Sequence, residues 1–158
     1  MNNIIIIVPT LNEKENIKIL FDKLIATKIA FDLLIIDDHS IDGSQEAIKE
    51  LNKKNQNVNY IFRPKKMGIG SAHKEGFIWS YKKKYKTIIT MDADGTHDTK
   101  YIQNLIDGLK NFDIVTTNRF LEKNLLEGWP LLRIFLTTLR HLTISLLLSI
   151  PYDSSGAF

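Results

Sequence analysis

Short apolar runs rich in isoleucine and valine recur along the chain and alternate with longer stretches that mix apolar and charged residues. The five runs are Ile4–Val8, Leu33–Asp37, Val58–Phe62, Thr87–Met91 and Phe112–Thr117. Each has the length and the β-branched content of a buried strand. Strands that alternate with helices predict an α/β fold, in which a mostly parallel, doubly wound sheet has helices on both faces.

The stretches between these runs have the apolar spacing of helices. The first of them, Asn12–Ile25, repeats its apolar residues on one helical face, at Ile17, Leu20, Phe21 and Leu24. Further helices are predicted over Ser44–Leu51, Ser71–Tyr81, Thr99–Leu109 and Trp129–Ile150. We expect the apolar face of each helix to pack on the sheet.

Several polar residues near the predicted helix starts have a structural interpretation. Thr10 or Asn12 could cap the first helix, and Glu13 in its first turn suits the helix dipole. Asp42 fits an Asx-turn or helix cap before the second helix, and Asp98 is expected to cap the helix that begins near residue 99. For Asn12, a structural and a functional role are equally well supported.

The composition is that of one folded domain of 158 residues, with 44% apolar and 25% charged residues. There is no cysteine, which excludes disulfides and thiolate metal sites. The apolar N-terminal run is too short to span a membrane and lacks the basic residues of a signal peptide. The net charge of +3 is small. The lysine clusters of the chain are typical of a solvated surface. We therefore expect a cytoplasmic protein with no nucleic-acid partner.

Acidic, basic and polar residues follow each predicted strand. The segments at these strand ends are Pro9–Glu13, Asp37–Ser40, Arg63–Gly70, Asp92–Asp94 and Asn118–Arg119. In doubly wound sheets, ligands bind beyond the carboxyl ends of the strands. Asp37 or Asp38 could accept hydrogen bonds there from a ribose hydroxyl or a base N–H. The sequence therefore predicts one ligand site at this edge of the sheet.

Asp92 and Asp94 carry the most specific chemistry of this edge. In an extended segment, side chains two residues apart share a face, so both carboxylates can approach one ion. Mg²⁺ and Mn²⁺ both favour oxygen ligands, and Mg²⁺ is usually held by one or two carboxylates together with substrate phosphates. The alternative is a phosphatase of the Asp-x-Asp-Gly-Thr type, with Asp92 as nucleophile and Asp94 as general acid. The order of the acidic pairs along the chain argues against that alternative.

Six strings resemble, in order and spacing, the family 2 glycosyltransferases, and the nearest likeness is to the dolichol-phosphate (polyprenyl-phosphate) mannosyltransferases. They are "VPTLNEKENI", "IIDDHSIDGS", "RPKKMGIGSAHKEG", "MDADGTHDTKYI", "DIVTTNRF" and "DSSGAF". The resemblance covers nearly the whole chain and implies a GT-A, Rossmann-like fold. It also implies an inverting transfer of a hexose, mannose or glucose, from a nucleotide sugar such as GDP-mannose or UDP-glucose. The implied acceptor is a polyprenyl or dolichyl phosphate.

The resemblance further implies roles for individual residues. Those expected at the nucleotide sugar are Pro9, Thr10, Asn12, Glu13, Asp37, Asp38, Gly68, Gly70 and Asp92. Asp92 and Asp94 would bind Mg²⁺ or Mn²⁺, with Thr96 at a position where some relatives have a glutamine ligand. The catalytic residues implied are Asp94, Arg119 and Arg133.

The implied chemistry is consistent with these residue types. A phosphate acceptor is already anionic at neutral pH, so it can attack the anomeric carbon without a general base. The protein then has to position two anionic substrates and to stabilise the leaving diphosphate. Arg119 and Arg133 suit this task because a guanidinium group binds phosphate oxygens bidentately.

The last predicted helix has two interpretations. Its leucine-rich sequence with Arg133 and Arg140 near one face could lie in a membrane interface, which would make the protein peripheral on the cytoplasmic face of a membrane. It could equally be a core helix that packs on the sheet. A spanning helix is disfavoured because Arg133, Arg140 and His141 interrupt the apolar run.

The chain stops at Phe158, where related sequences continue. We therefore expect a single glycosyltransferase catalytic domain over residues 1–158 that is truncated at its C-terminal end. Its nucleotide-binding half would be residues 1–97, and its incomplete acceptor half residues 98–158. The alternative is a fragment that binds a nucleotide sugar without turning it over.

Overall fold

The computed structural model describes residues 2–117 and 130–148 of the chain. The chain divides into two compact units, Met1–Gln103 and Asn104–Phe158. The elements, in chain order, are β1 (Ile4–Thr10), α1 (Lys14–Ala26), β2 (Asp32–Asp37), α2 (Ser44–Lys54), β3 (Val58–Phe62), α3 (Ile69–Lys82), β4 (Thr87–Thr90), a 3-10 turn (Thr99–Tyr101), α4 (Ile102–Gly108) and α5 (Leu131–Leu148). The predicted alternation of strands and helices is confirmed for the first four strands.

Four parallel strands form the sheet in the order β3-β2-β1-β4. The chain moves from β1 outward to β3 and then crosses back to β4 on the other side of β1. Because strand–helix–strand crossovers are right-handed, this reversal places α3 on the face opposite to α1 and α2. The predicted doubly wound sheet is therefore confirmed, and the strand order reverses between β1 and β4, where such folds bind their ligands.

The two central strands are buried on both faces. On one face, Ile7 and Ile36 belong to a fully buried cluster that includes Ala72 of α3. Helix α3 lies close to the sheet at Gly76, where a Cβ atom would lie 2.7 Å from Cγ2 of Ile7. The predicted inner face of α1 is confirmed, since its buried residues are Ile17, Leu20, Phe21 and Leu24. Burial on both faces explains why the strands read as continuous apolar runs.

The fifth predicted strand, Phe112–Thr117, is wrong. These residues form no strand, and the side chains of Phe112 and Ile114 are 67% and 86% exposed. A β-branched run becomes a strand only where a neighbouring strand edge accepts its ladder hydrogen bonds. Within residues 2–117 and 130–148, this run pairs with none of the strands β1 to β4.

The helix caps agree with the sequence in part. Asp98 accepts a hydrogen bond from the backbone N–H of Lys100, and Asp42 from that of Ser44, as expected. The expectation that Thr10 or Asn12 caps α1 is wrong, because Glu13 is the N-cap and makes no side-chain cap bond. Side chains at the start of α2 bind the free N–H groups of α1 instead. The N–H of Glu13 donates to Ser44 Oγ, and the N–H of Lys14 donates to Asp42 Oδ2.

Helix α5 belongs to the second unit and carries many exposed leucine side chains. Across the described ranges, no helix combines the length and the apolar character needed to cross a bilayer. Of the two arginines expected at phosphates, Arg119 lies outside the described residues. Arg133 lies in α5, and its side chain is likewise outside what is described.

Candidate functional site

A pocket of about 320 Å³ opens in the first unit, where β1, β2 and β4 end. Four segments build its wall, and each follows a strand of the sheet or begins the helix after it. The lining residues are Pro9, Thr10, Leu11, Glu13, Asp38, Lys66, Gly68, Ile69, Ala72, Asp92, Ala93 and Asp94. Seven of the residues expected at the site therefore share one pocket.

Asp92 and Asp94 both line this pocket, although the geometry expected from the sequence is wrong. Residues 93 and 94 form a turn instead of continuing the strand, and Ala93 is buried beneath it. The turn leads into Gly95, whose φ of 82° lies in the left-handed region that glycine adopts without strain. The two carboxylates reach one pocket through this turn and not through a shared strand face.

Thr96 holds one side of the Asp94 carboxylate. Oδ1 of Asp94 accepts the Thr96 N–H at 2.9 Å and its hydroxyl at 2.7 Å. Burial pushes the pKa of Asp94 up, but the two bonds from Thr96 and the nearby His97 outweigh it, so the net pKa is lowered. Asp94 is therefore ionised at neutral pH, and the described residues donate no hydrogen bond to its Oδ2.

His97 supports the backbone of Asp92, a role that the sequence analysis missed. The N–H of Asp92 donates to Nδ1 of His97 at 3.0 Å, and Nε2 of the ring lies 3.9 Å from Oδ2 of Asp92. His97 therefore fixes the backbone at the start of the turn that carries both acids. A histidine five residues after a strand-end aspartate was the available signal, but its meaning depends on how the loop turns.

Asp37 lies beneath the pocket and does not line it. Its side chain is fully buried, and its two oxygens accept four hydrogen bonds from Thr10, Ser40 and Gln45. The Ser40 residue contributes both its N–H and its hydroxyl. The carboxylate is thus occupied by protein donors, and the structure does not bring it to the position expected for a base or ribose ligand.

Asp38 lines the pocket but is paired with a buried arginine. Nη1 of Arg63 lies 2.9 Å from Oδ1 of Asp38, and Nε of Arg63 donates to Glu75 at 3.0 Å. The N–H groups of Met67 and Gly68 also donate to Asp38, at 2.9 and 2.7 Å. Burial raises the pKa of Asp38, but these backbone bonds and the guanidinium of Arg63 together lower it below its ordinary value.

Arg63 was placed at the sheet edge by the sequence but was given no role. The available signal was a basic residue directly after β3, at the edge where the acids of β2 and β4 also end. Of the remaining expected residues, Asn12 and Gly70 do not line the pocket. Asn12 has a φ of 58° and bonds through its Oδ1 to the N–H of Ile41, so it fastens one loop to another.

The donor set fits a divalent cation that shares its ligands with a substrate. In residues 2–117 and 130–148, no cluster of three or more His, Cys, Asp or Glu side chains could hold a metal by itself. Asp92 and Asp94 nevertheless supply carboxylate oxygens to one pocket. Two carboxylates plus substrate phosphates and water is a common arrangement for Mg²⁺, and it also suits Mn²⁺.

Comparison with known sequences gives matches over most of the chain. Residues 5–156 match the model of glycosyl transferase family 2. The chain is 29% identical over 135 residues to the polyprenol monophosphomannose synthase of Mycolicibacterium smegmatis, covering 84% of this chain and 51% of that protein. It is 33% identical over 131 residues to the dolichol-phosphate mannosyltransferase of Pyrococcus furiosus, covering 81% and 36%. The chain thus spans about half or less of the length of these relatives.

Solved structures with the same fold are glycosyltransferases. The mannosyltransferase PcManGT from Pyrobaculum calidifontis, in complex with GDP-Man and Mn²⁺, superposes with a TM-score of 0.64 at 17% identity, over 78% of this chain and 38% of that one. Glucosyl-3-phosphoglycerate synthase from Mycobacterium tuberculosis, in complex with Mn²⁺, UDP and phosphoglyceric acid, gives 0.61 at 17% identity, over 98% and 54%. These likenesses identify the GT-A fold.

Proposed function

Since this chain belongs to glycosyl transferase family 2, we propose that it is an inverting hexosyltransferase with a polyprenyl or dolichyl phosphate as acceptor. The donor is a nucleotide sugar that carries mannose or glucose on GDP or UDP. The observation that carries the proposal is the pair of open carboxylates, Asp92 and Asp94, in one pocket at the carboxyl ends of the strands. Family membership also removes the support for a phosphatase with an Asp92 nucleophile.

We assign the nucleoside and the diphosphate of the donor to different lining residues of the pocket. Pro9, Thr10 and Glu13 form one wall, beside the end of β1, where the base and ribose bind. Asp92 and Asp94 would hold Mg²⁺ or Mn²⁺, and a divalent cation at this place would supply charge neutralisation for the leaving diphosphate. Similar proteins that were solved with Mn²⁺ and a nucleotide support this assignment.

The acceptor phosphate needs orientation and not deprotonation. It is anionic at neutral pH, so a general base is not required. Arg119 and Arg133, on the strength of the sequence resemblance, bind its oxygens and hold it against the anomeric carbon. The similarity to proteins named for polyprenol and dolichol phosphates supports this choice of acceptor.

Helix α5 offers an apolar surface for the membrane in which such an acceptor resides. Five of its exposed side chains are spaced three or four residues apart, Leu131, Phe135, Leu139, Leu142 and Leu146. A stripe of this kind, with the exposed Arg140 beside it, suits insertion at the boundary between headgroups and acyl chains. We place the protein peripherally on the cytoplasmic face of a membrane. Co-sedimentation with anionic vesicles should fall when Leu139 and Leu142 are both changed to serine, with nucleotide binding unchanged.

Thermal unfolding with a panel of nucleotides tests the donor half of the proposal. GDP, GDP-mannose, UDP and UDP-glucose are compared with and without Mn²⁺. A native-state ligand at a hundred times its Kd adds about 2.7 kcal/mol to the free energy of unfolding. A rise of the midpoint that requires Mn²⁺ is expected for one base only, and that base names the donor. A midpoint that none of the four ligands moves would contradict the proposal.

Transfer to the acceptor is tested separately, with dolichyl phosphate and the donor that binds. Arg133→Ala should abolish transfer while nucleotide binding stays intact. Unchanged transfer in this variant would remove Arg133 from the mechanism. Donor binding without any transfer by the wild type would favour the alternative, a nucleotide-sugar-binding fragment.

A further inference from the structure

Arg63 is a buried cation at the pocket that touches none of the residues expected to hold the metal. It lies directly after β3 and is only 4% exposed. A buried guanidinium is costly unless its donors are used. Arg63 uses them on three partners in three segments, the carboxylates of Asp38 and Glu75 and the backbone oxygen of Gly68.

The partners of Arg63 converge on the loop between β3 and α3. The N–H of Gly68 donates to Asp38 while its C=O accepts from Arg63, so the ion pair holds both sides of this one residue. The N–H of Met67 is held by Asp38 as well. Gly68 has a φ of 87°, which a residue with a side chain rarely adopts. The backbone of this loop therefore depends on the pair for its position.

The same loop forms a wall of the pocket. Lys66, Gly68 and Ile69 all line it, as do Asp92 and Asp94. The hydroxyl of Ser71 also contacts the loop, since its oxygen lies 2.9 Å from the C=O oxygen of Met67 and 2.8 Å from that of Gly68, and its one hydrogen can be donated to either. A displacement of this backbone would move the wall and the Lys66 side chain with it.

We propose that Arg63 is a positioning residue, which together with Asp38 clamps residues 66–69 as a wall of the donor pocket. The inference rests on the proposed function for its ligand. Protein donors already engage both carboxylate oxygens of Asp38. In this proposal, Asp38 therefore affects the nucleotide sugar indirectly, by holding the loop of residues 66–69. The clamp makes donor affinity depend on a residue that does not line the pocket.

The test compares Arg63→Met and Arg63→Lys with a control at the other end of the sheet. Tyr85→Phe removes a partly buried hydrogen bond to Asp32, at the start of β2 and away from the pocket. Calorimetry gives the Kd of the Mn²⁺-dependent nucleotide, and amide hydrogen exchange follows Met67 and Gly68. The full chain is used throughout, and denaturant unfolding measures the stability of each variant.

We expect Arg63→Met to weaken nucleotide binding at least tenfold and to speed exchange of the Met67 and Gly68 amides at least tenfold. Arg63→Lys keeps a cation beside Asp38 but loses the planar guanidinium that donates to several partners at once. Its affinity and exchange rates should therefore lie between those of the wild type and Arg63→Met. This variant also keeps the test decisive if Arg63→Met does not fold. Tyr85→Phe should leave the Kd within twofold.

Two results would overturn the clamp. One is wild-type affinity and wild-type exchange at Met67 and Gly68 in a folded Arg63 variant. The other is a loss of affinity in Tyr85→Phe as large as that in Arg63→Met, which would show that the loss follows from a general decrease in stability. If the wild type binds no nucleotide with Mn²⁺, the proposed function fails, and the exchange rates of Met67 and Gly68 alone decide whether the clamp exists.

Discussion

Two pairs of aspartates lie at the carboxyl ends of β2 and β4, the two strands that flank β1, and the protein treats them in opposite ways. Asp37 ends β2 and Asp38 follows it, and the two residues are 0% and 5% exposed, with their oxygens engaged by side chains and backbone N–H groups. Asp92 and Asp94 follow β4 and face the pocket, and the Asp92 side chain is 39% exposed. The difference separates carboxylates that hold loops from carboxylates that remain open to the pocket.

The physical reason is the cost of burying a negative charge. A buried carboxylate must be paired or hydrogen-bonded. The donors come from β1, the loop after β2, α2 and the segment after β3. Two carboxylates at one pocket repel each other unless a cation lies between them. An acid pair that stays open to solvent is consistent with the divalent cation that we propose for this pocket.

Removal of the buried acid should have the largest effect. Asp37→Ala leaves four donors without an acceptor, and we expect a loss of about 3 kcal/mol in the free energy of unfolding. Denaturant unfolding measures it. The matched control is Asp92→Ala, which should change stability by no more than about 0.5 kcal/mol. Equal losses in the two variants would erase the distinction between the pairs.

The open pair should matter for binding instead. Asp94→Asn is expected to weaken Mn²⁺-dependent nucleotide binding on the order of a hundredfold, about 2.7 kcal/mol, because a neutral amide replaces a charged ligand. Calorimetry with and without Mn²⁺ measures the change. Asp98→Asn is the control, since Asp98 is an exposed acid that caps the 3-10 turn. Retained affinity in Asp94→Asn would exclude Asp94 from the metal site.

The stability that Asp38 contributes should be lost at acidic pH. Its pKa is lowered in the folded protein, so the folded state binds fewer protons than the unfolded one just below the ordinary pKa. The stability from this group is therefore complete above about pH 4 and is lost as the pH falls through the folded pKa. Asp38→Asn should show a shallower loss of stability below about pH 4, by up to one proton. Parallel curves for wild type and variant would contradict this.

The smallest effect is expected from the residue that orients Asp94. Thr96→Val removes the hydroxyl bond to Oδ1 and keeps the backbone one, so Mn²⁺-dependent affinity should weaken by about threefold. Thr96→Ser retains both bonds and should restore wild-type affinity. A loss in Thr96→Ser as large as in Thr96→Val would point to the missing methyl group and not to the hydrogen bond.

Much of the fold followed from local patterns in the sequence. The strands β1 to β4 were predicted within two residues at each end, because β-branched runs buried on both faces leave a continuous apolar signature. The fifth run carried the same signature and formed no strand. Its fate depended on a partner edge, which local composition does not encode.

The site was predicted by residue type and misjudged in geometry. The strand-end acids were found because ligands of such sheets bind at that edge. Their division into a buried and an open pair was not, since Asp37 and Asp92 look alike in sequence. Arg63 and His97 were missed for a related reason. Arg63 contacts Asp38 and Gly68, and His97 contacts the backbone of Asp92. Both sets of contacts depend on how the loops fold, and the spacing of the residues along the chain does not predict them.

The sequence by itself determined the α/β class, the order of the first four strands along the chain, and the chemical groups at their ends, because these depend on burial periodicity and on side-chain identity. The tertiary structure decided which of those groups are engaged by protein donors and which face the pocket. That division is set by donors from Thr10, Gln45, Arg63 and the backbone of residues 67–68, which reach the acids across several segments of the first unit. Hydrogen bonds between distant residues are a property of the folded chain, since only packing brings their atoms within about 3 Å.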